Sequence, residues 1–389
     1  MKVLELFGGI GACTTALRRI GVDVEVADYV EIDKYAVASY NAINGTNFEQ
    51  QDICTWDKNI EVDLIMHGSP CQDFSVAGKQ AGGDVGSGTR SSLMYETIRI
   101  VGKLRPKYVI WENVKNLLSA KHRHNFDAYL ETMKALGYTS YYQVLNAKDY
   151  GVPQNRERVF TISVLGEHKP FVFPNKSALV LRLKDLLEDE VEGKYYLKDS
   201  QVLKIKNSNF MQEAKRIQEK DVCDTLLARD WKDPKCVQVG TLDIKGMDCI
   251  KRVYSDEGLS PTLTDMQGGN RQPKIIENIS EFPCIGASRG RNPNNPSDRT
   301  PGITTEQRLE INTKGTSNAI TTVQKDNYVI ENNDYRIRKL TPKECWRLMG
   351  FDDESFEKAA KVNSNTQLYK QAGNSIVVSV LEEIFKNLF

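Results

Sequence analysis

Along residues 1–165, short β-branched and aliphatic runs alternate with stretches whose apolar residues recur three and four positions apart, the periods of buried strands and of amphipathic helices. The runs Val3–Phe7, Val24–Tyr29, Val62–His67, Tyr108–Trp111 and Val159–Val164 predict strands, and Ala12–Ile20, Lys34–Asn41, Leu93–Lys103 and Asn125–Leu136 predict helices. This alternation is the pattern of an α/β fold in which crossover helices join parallel strands. From about residue 170 to 333 the texture changes to Asn, Gly, Pro, Thr and Ser with short apolar runs, which predicts a loop-rich, mostly β region. Three units there share an Arg-apolar pair followed by a Thr- or Ala-apolar pair: Arg216-Ile217 to Thr225-Leu226, Arg252-Val253 to Thr262-Leu263, and Arg308-Leu309 to Ala319-Ile320. Each precedes another apolar run, at Cys236–Val239, Ile275–Ile276 and Tyr328–Ile330. The units are three β-hairpins of similar composition or a true internal repeat. Helical order returns after residue 334, where Thr341-Pro342-Lys343-Glu344 combines an N-cap hydroxyl, a first-turn proline and a glutamate at the third position. Ile376–Leu388 reads as a last amphipathic helix. The division is therefore 1–169, 170–333 and 334–389.

Composition narrows the class. A chain of 389 residues that is 40% hydrophobic can bury one good core and a smaller lobe. No window approaches the roughly 18 to 20 apolar residues of a membrane span, and Met1–Leu6 lacks the layout of a signal peptide. No membrane association and a cytoplasmic location are expected. The eight cysteines never fall two or three residues apart, which argues against zinc knuckles and disulfide scaffolds. No metal is expected, and any important cysteine is important singly. The 52 basic and 52 acidic residues cancel overall, which argues at first against a nucleic-acid partner. By segment, residues 1–100 carry 8 basic and 14 acidic side chains, residues 101–165 carry 10 and 5, and residues 201–330 carry 19 and 17. Different segments can therefore serve different ligands.

The residues that carry chemistry cluster at predicted strand ends. Phe7-Gly8-Gly9-Ile10-Gly11 follows the first strand and opens a helix, with Glu31 at the end of the second strand. Glycines let the backbone approach a ligand, and a carboxylate at that strand end can accept both hydroxyls of a ribose, so a nucleoside-containing cofactor is favoured over tight packing alone. The acidic surroundings suit a cationic nucleoside better than a dinucleotide. Gly68-Ser69-Pro70-Cys71-Gln72-Asp73-Phe74-Ser75 follows the strand that ends at His67. Polar and turn-forming neighbours there favour a nucleophilic thiolate over a buried apolar cysteine. Glu112, in Trp111-Glu112-Asn113-Val114, stands at the end of the next strand and, half-buried, can hold a proton near neutral pH as a general acid. Alternation through Gln154-Asn155-Arg156-Glu157-Arg158 sends Gln154, Arg156 and Arg158 to one face, as donors for a carboxylate, a carbonyl or a phosphate.

Taken in order, Phe7–Gly11, Glu31, Asp52, Pro70-Cys71-Gln72, Glu112-Asn113-Val114, Gln154 to Arg158, Arg338–Gly350 and Gln371-Ala372-Gly373-Asn374-Ser375 resemble the motifs of the DNA (cytosine-5)-methyltransferases of bacterial and phage type. The match covers about residues 1–165 and 335–389. The resemblance implies a Rossmann-like methyltransferase domain completed by the C-terminal helix, with a smaller β-rich target-recognition domain. It implies a monomer that methylates C5 of a flipped-out cytosine in double-stranded DNA, with S-adenosyl-L-methionine as cofactor, as in restriction-modification systems. By resemblance Cys71 adds to C6, Glu112 donates to N3, and Arg158 holds the cytosine carbonyl and orients Glu112, with Arg156 and Gln154 in support. Phe7, Gly8, Gly9, Ile10, Gly11, Glu31, Ile32, Asp52, Ile53, Pro70, Asn374 and Ser375 would bind the cofactor.

Gln72 and Ser75 would meet DNA, and the glycines of Phe74–Arg90 suit a segment that closes over it. Arg252, Tyr254, Thr262, Leu263, Gly268 and Gly269 resemble the family's recognition signature. Ile32 departs from the aromatic residue that many relatives carry beside the ribose-binding glutamate. Three competing classes are an RNA cytosine methyltransferase, a catalytically silent DNA-binding relative and a nucleoside-binding oxidoreductase. The long recognition region speaks against the first and the intact Cys71, Glu112 and Arg158 against the second. Pro70-Cys71-Gln72 and Asn374 have no place in the third.

Overall fold

The computed structural model describes residues 1–70, 93–181, 183–196 and 335–389, and between them residues 238–241, 252–255, 263, 272–278, 284–291, 306–312 and 328–330. Cys71, Gln72, Ser75, Thr262, Gly268 and Gly269, the first repeat unit from Arg216 to Leu226, and the Phe74–Arg90 segment lie outside these residues.

Six strands, β1 (Lys2–Leu6), β2 (Glu25–Val30), β3 (Leu64–His67), β4 (Tyr108–Val114), β5 (Tyr138–Asn146) and β6 (Glu157–Leu165), form one sheet in the order β2-β1-β3-β4-β6-β5. The first four are parallel, as their intervening helices α1 (Ala12–Arg19), α2 (Lys34–Asn44) and α3 (Met94–Leu104) require. The expected all-parallel arrangement fails at the last two strands, because β6 runs antiparallel to both β4 and β5. The cause is local: a 3-10 turn at Ala147–Tyr150, not a helix, joins β5 to β6, so the chain folds straight back. Strand β5 escapes the sequence pattern because it lies at the sheet edge with few fully buried residues.

Registry fixes what this topology means for a site. Leu6 is level with Val30 and His67, His67 with Trp111, and Val114 with Arg158. The carboxyl ends of β1 to β4 and the amino end of β6 thus share one edge, where open α/β sheets bind ligands.

Alternation along the strands supplies a core on each face of the sheet. Val3, Leu64, Met66, Ile110 and Ile162 face α1 together with the last helix of the chain, while Leu4, Leu6, Ile65, Val109 and Trp111 face α3 and α4 (Arg123–Ala135). That last helix is α8 (Val378–Leu388); it follows α5 (Pro342–Arg347), α6 (Asp353–Ala360) and α7 (Asn365–Asn374). Val378, Leu381, Ile384 and Phe385 share the α1 core with Ala16 and Leu17. Arg19 strengthens this return of the chain by donating to the Gly350 carbonyl at 2.6 Å and pairing with Asp352 at 2.8 Å. The capping box predicted at Thr341 and Glu344 forms, and Glu344 also makes a fully buried pair with Arg338. Among the described residues, no helix is long and apolar enough to cross a membrane.

Residues 238–339 carry β7 (Gln238–Thr241), β8 (Arg252–Ser255), β9 (Lys274–Asn278), β10 (Cys284–Arg291), β11 (Glu306–Asn312), β12 (Tyr328–Ile330) and β13 (Tyr335–Lys339) among the described residues. They form two sheets, β13-β9-β8-β7 and β11-β10-β12. Two of the units are described in part, with Thr262, Ala319 and Ile320 outside the described residues, and in neither does the Arg-bearing strand pair antiparallel with the later apolar run. The Arg252 strand meets its later apolar run in parallel, since the intervening residues 256–273 are long enough for a crossover. The strand with Arg308 and the run Tyr328–Ile330 pair with β10 instead of each other.

Candidate active site

The glycine loop after β1 rests on two tyrosines. Tyr29 and Tyr40 stack with ring centroids 3.9 Å apart. A Cβ on Gly8 would lie 2.6 Å from Tyr29, and one on Gly11 2.8 Å from Tyr40, so neither position has room for a side chain. Gly11 in addition has φ +83°, open to L residues only with strain. The Tyr29 hydroxyl donates to the Gly9 carbonyl at 2.6 Å. Beneath the loop, the Glu5 carboxyl accepts from the hydroxyls of Thr14 and Tyr40. Burial pushes Glu5 up to about 7, although both hydroxyl donors pull the other way. Gly9 alone looks onto open space.

Glu31 accepts from Gly9 N at 3.1 Å and from Asp33 N at 2.9 Å. Burial raises its carboxyl above the usual range while these two amides oppose the shift. Each carboxylate oxygen keeps acceptor capacity beyond its one amide. Asp52 is exposed on a turn held from several sides: Gln51 N donates to Glu31 O at 3.0 Å, Trp56 Nε1 to Asp28 at 2.7 Å, and Arg99 to the carbonyls of Ile53 and Trp56 at 3.0 and 2.9 Å. Ile32 stands 58% exposed beside Glu31, whereas Ile10 and Ile53 bury their side chains in the core. The C-terminal segment docks onto α2: Gln371 donates to the Tyr35 carbonyl at 2.9 Å and accepts from Ser39, and Lys370 pairs with Asp33 at 2.7 Å. Asn374 is exposed at the end of that docked helix and Ser375 is buried beside it.

On the other half of the edge, Gly68, Ser69 and Pro70 leave β3 toward Cys71. Side chains flanking Glu112 fix this turn, since Trp111 Nε1 donates to Ser69 Oγ at 2.9 Å and Asn113 to the Ser69 carbonyl at 3.3 Å. A Cβ on Gly68 would lie 3.8 Å from Glu112 Oε2. His67 is fully buried, near-parallel to Trp111, and burial depresses it to about 3, so its ring is neutral. Glu112 is buried in β4, and Arg158 Nε from β6 lies 3.0 Å from its Oε1. The approach is off the N–H axis, so this oxygen pairs by charge without an aligned hydrogen bond. Glu112, Arg158, Arg156, Phe160, Leu145 and Ile376 line one small pocket. The arrangement unites a carboxyl acid and a fixed cation at the edge where the β3 turn ends.

Two expectations change. Gln154 and Arg156 do not offer a free row of donors: both precede β6, are buried, and bond to main chain. Arg156 donates to the carbonyls of Leu263, Gly373 and Ser375, and Gln154 to that of Leu348. A buried guanidinium has to find acceptors, and the carbonyls of Leu263, of Gly373 in the last turn of α7 and of Ser375 supply them. Tyr254 and Leu263, expected at a DNA surface, turn their side chains to the interior, and Arg252 opens β8. Sequence reasoning missed Glu5, Tyr29, Tyr40, Ser69 and Trp111. Only the adjacency of Ser69 and Trp111 to singled-out residues could have drawn attention to them.

A family model described as C-5 cytosine-specific DNA methylase matches residues 1–389. An orphan methyltransferase of Bacillus phage SPbeta is 37% identical over 454 aligned positions, which cover 100% of this chain and 97% of the relative. The type II methyltransferase M.HhaI of Haemophilus parahaemolyticus is 30% identical, with 100% and 94% covered. In fold the chain is similar to the solved structure of an Entamoeba histolytica methyltransferase, with a TM-score of 0.62 at 14% identity over 100% of this chain and 98% of that one. With the motif order, the sheet edge and matches that run the length of the chain in agreement, this chain belongs to the C-5 cytosine-specific DNA methylase family and is an enzyme that methylates cytosine in DNA.

Proposed function

We propose that the enzyme methylates a cytosine flipped out of a specific duplex DNA sequence through a covalent bond between Cys71 and C6. The observation that carries the reading is the Glu112–Arg158 pair, held at 3.0 Å at the sheet edge to which Gly68–Pro70 lead. Cytosine C5 is a weak nucleophile, so the ring has to be activated. The Cys71 thiolate attacks C6 while Glu112 gives a proton to N3, and the electrons released make C5 an enamine carbon. Arg158 holds the Glu112 carboxyl and, by the resemblance, the cytosine carbonyl. After C5 has taken the methyl group, loss of the C5 proton expels the thiolate, N3 returns its proton to Glu112, and neutral 5-methylcytosine is left. C6 is shielded inside a duplex, so the base has to leave the stack at a cost of a few kcal/mol.

The first hundred residues fit a sulfonium nucleoside: Gly9 faces open space, Glu31 keeps acceptor capacity, Asp52 and Ile32 are exposed nearby, and the segment is acidic. Phe7–Gly11, Glu31, Ile32, Asp52 and Asn374 would hold S-adenosylmethionine, which when bound supplies an electrophilic methyl group. Residues 1–169 and 334–389 serve as the catalytic and cofactor domain and residues 170–333 as the target-recognition domain of a cytoplasmic monomer.

The test is transfer of labelled methyl from S-adenosylmethionine to duplex DNA. Wild type transfers, Cys71→Ala does not, and DNA carrying 5-fluorocytosine, which has no C5 proton to lose, traps a covalent complex only with Cys71 present. Transfer to transfer RNA with none to duplex DNA would overturn the assignment, and a complex surviving in Cys71→Ala would remove that residue from the nucleophile role.

A further inference from the structure

Gln154 and Arg156 grip one residue of the recognition region from two sides. Gln154 Oε1 accepts from Leu263 N at 3.2 Å, and Arg156 donates to Leu263 O at 3.0 Å. Two side chains thus supply Leu263 with the pair of main-chain bonds that a neighbouring strand would otherwise provide, and its side chain is buried in the main core. The grip is itself rigid. Arg156 N donates to Asn146 Oδ1 at 3.1 Å, Ala147 N to Arg156 O at 3.1 Å, and Gln154 Nε2 to Leu348 O at 2.8 Å. Arg158, the partner of Glu112, follows Arg156 by two residues, no more than about 7 Å along an extended chain.

We propose that Gln154 and Arg156 are positioning residues that hold the recognition region in register with the target-base pocket through Leu263, and so set how well the enzyme discriminates between DNA sequences. The inference rests on the function proposed above. It gives the two residues different signatures. Among the described residues the Gln154 side chain bonds to Leu263 and to Leu348-Met349, whereas Arg156 also donates to Gly373 O at 3.2 Å and Ser375 O at 2.7 Å, on either side of Asn374. Loosening Gln154 should disturb DNA recognition alone, and loosening Arg156 should disturb DNA recognition and cofactor binding together.

The experiment expresses the full chain, wild type, Gln154→Met or Arg156→Lys, in a bacterial host without cytosine methylation and maps 5-methylcytosine by bisulfite sequencing. Circular dichroism verifies folding, steady-state kinetics on the mapped duplex give KM for DNA, and calorimetry gives the affinity for S-adenosylhomocysteine. Both variants should methylate sites with one mismatched base pair about tenfold more, relative to cognate sites, and show a KM for DNA raised by a similar factor, the scale of one unmade buried hydrogen bond. S-adenosylhomocysteine affinity should stay within about twofold in Gln154→Met and fall about tenfold in Arg156→Lys, which keeps the charge but lacks the fork that reaches several carbonyls. Unchanged discrimination in both variants overturns the proposal, as does an equal loss of DNA and cofactor affinity in Gln154→Met, the mark of general loosening. A wild type that leaves no 5-methylcytosine fails the proposed function instead.

Discussion

On the β1–β2 half of the sheet edge, the loop, its tyrosine floor, Glu5, Glu31 and the Asp52 turn all come from residues 5–56, with Arg99 and the docked α7 bracing them from outside. On the β4–β6 half, Glu112 meets Arg158 across 46 residues of sequence, and Gln154 and Arg156 reach Leu263, Leu348, Gly373 and Ser375. The first half is a short-range construction whose geometry follows from glycines that have no room for a Cβ. The second is assembled from chain segments far apart, each held by donors to main-chain carbonyls. The halves should therefore respond separately to substitution.

The largest separation is expected in activity. Glu112→Gln should lower kcat on duplex DNA by about 10² to 10⁴-fold, the usual contribution of a positioned acid, and leave S-adenosylhomocysteine binding unchanged by calorimetry. A loss of cofactor affinity in that variant would break the distinction between the halves.

Stability against pH offers the next largest effect, because Glu5 on one half and His67 on the other are buried and their shifts act in opposite directions. Glu5 is raised from 4.5 to about 7, so the folded chain holds this proton more tightly than the unfolded one; the stability it contributes is full below pH 4.5 and is lost as pH rises through 7. His67 is lowered from 6.5 to about 3, so its contribution is full above pH 6.5 and is lost as pH falls toward 3. Between pH 4.5 and 6.5 the slopes oppose. Glu5→Gln removes the Glu5 slope and keeps that of His67, and urea unfolding should show stability rising across that window by about 1.4 kcal/mol per pH unit more steeply than in wild type. Equal slopes in the two proteins would show that Glu5 titrates as an ordinary carboxylate.

Smaller again is the strain at the glycine loop. Gly11→Ala, with φ +83° and Tyr40 2.8 Å from the new Cβ, should cost about 1 to 3 kcal/mol in urea unfolding and weaken S-adenosylhomocysteine binding while sparing the DNA off-rate. Gly9→Ala, with the same kind of backbone but open space around it, should cost only the backbone share. Equal costs for the two would remove the tyrosine floor as the reason for Gly11. The smallest change expected is a gain: Ile32→Trp should tighten cofactor binding by no more than about tenfold, the scale of an added aromatic contact, because Ile32 is exposed beside Glu31 and nothing there has to be displaced.

The four parallel strands, their helices and the capping box at Thr341 were legible in the sequence because each depends on a period or a spacing within a few residues. The same holds for Phe7–Gly11 with Glu31 and for Glu112 at a strand end. The antiparallel β6 and the edge strand β5 were not legible, because pairing direction depends on how the connecting chain turns and an edge strand carries little hydrophobic alternation. Nor were the roles of Gln154 and Arg156. Sequence alternation identified their donors as a set, but which acceptors they meet was decided only when distant segments packed against them and left main-chain carbonyls in need of partners. The sequence by itself determined which chemical groups stand at the strand ends. Tertiary structure decided which of them stand open at the sheet edge and which hold the chain, because a buried donor bonds to whatever acceptor folding brings within about 3 Å.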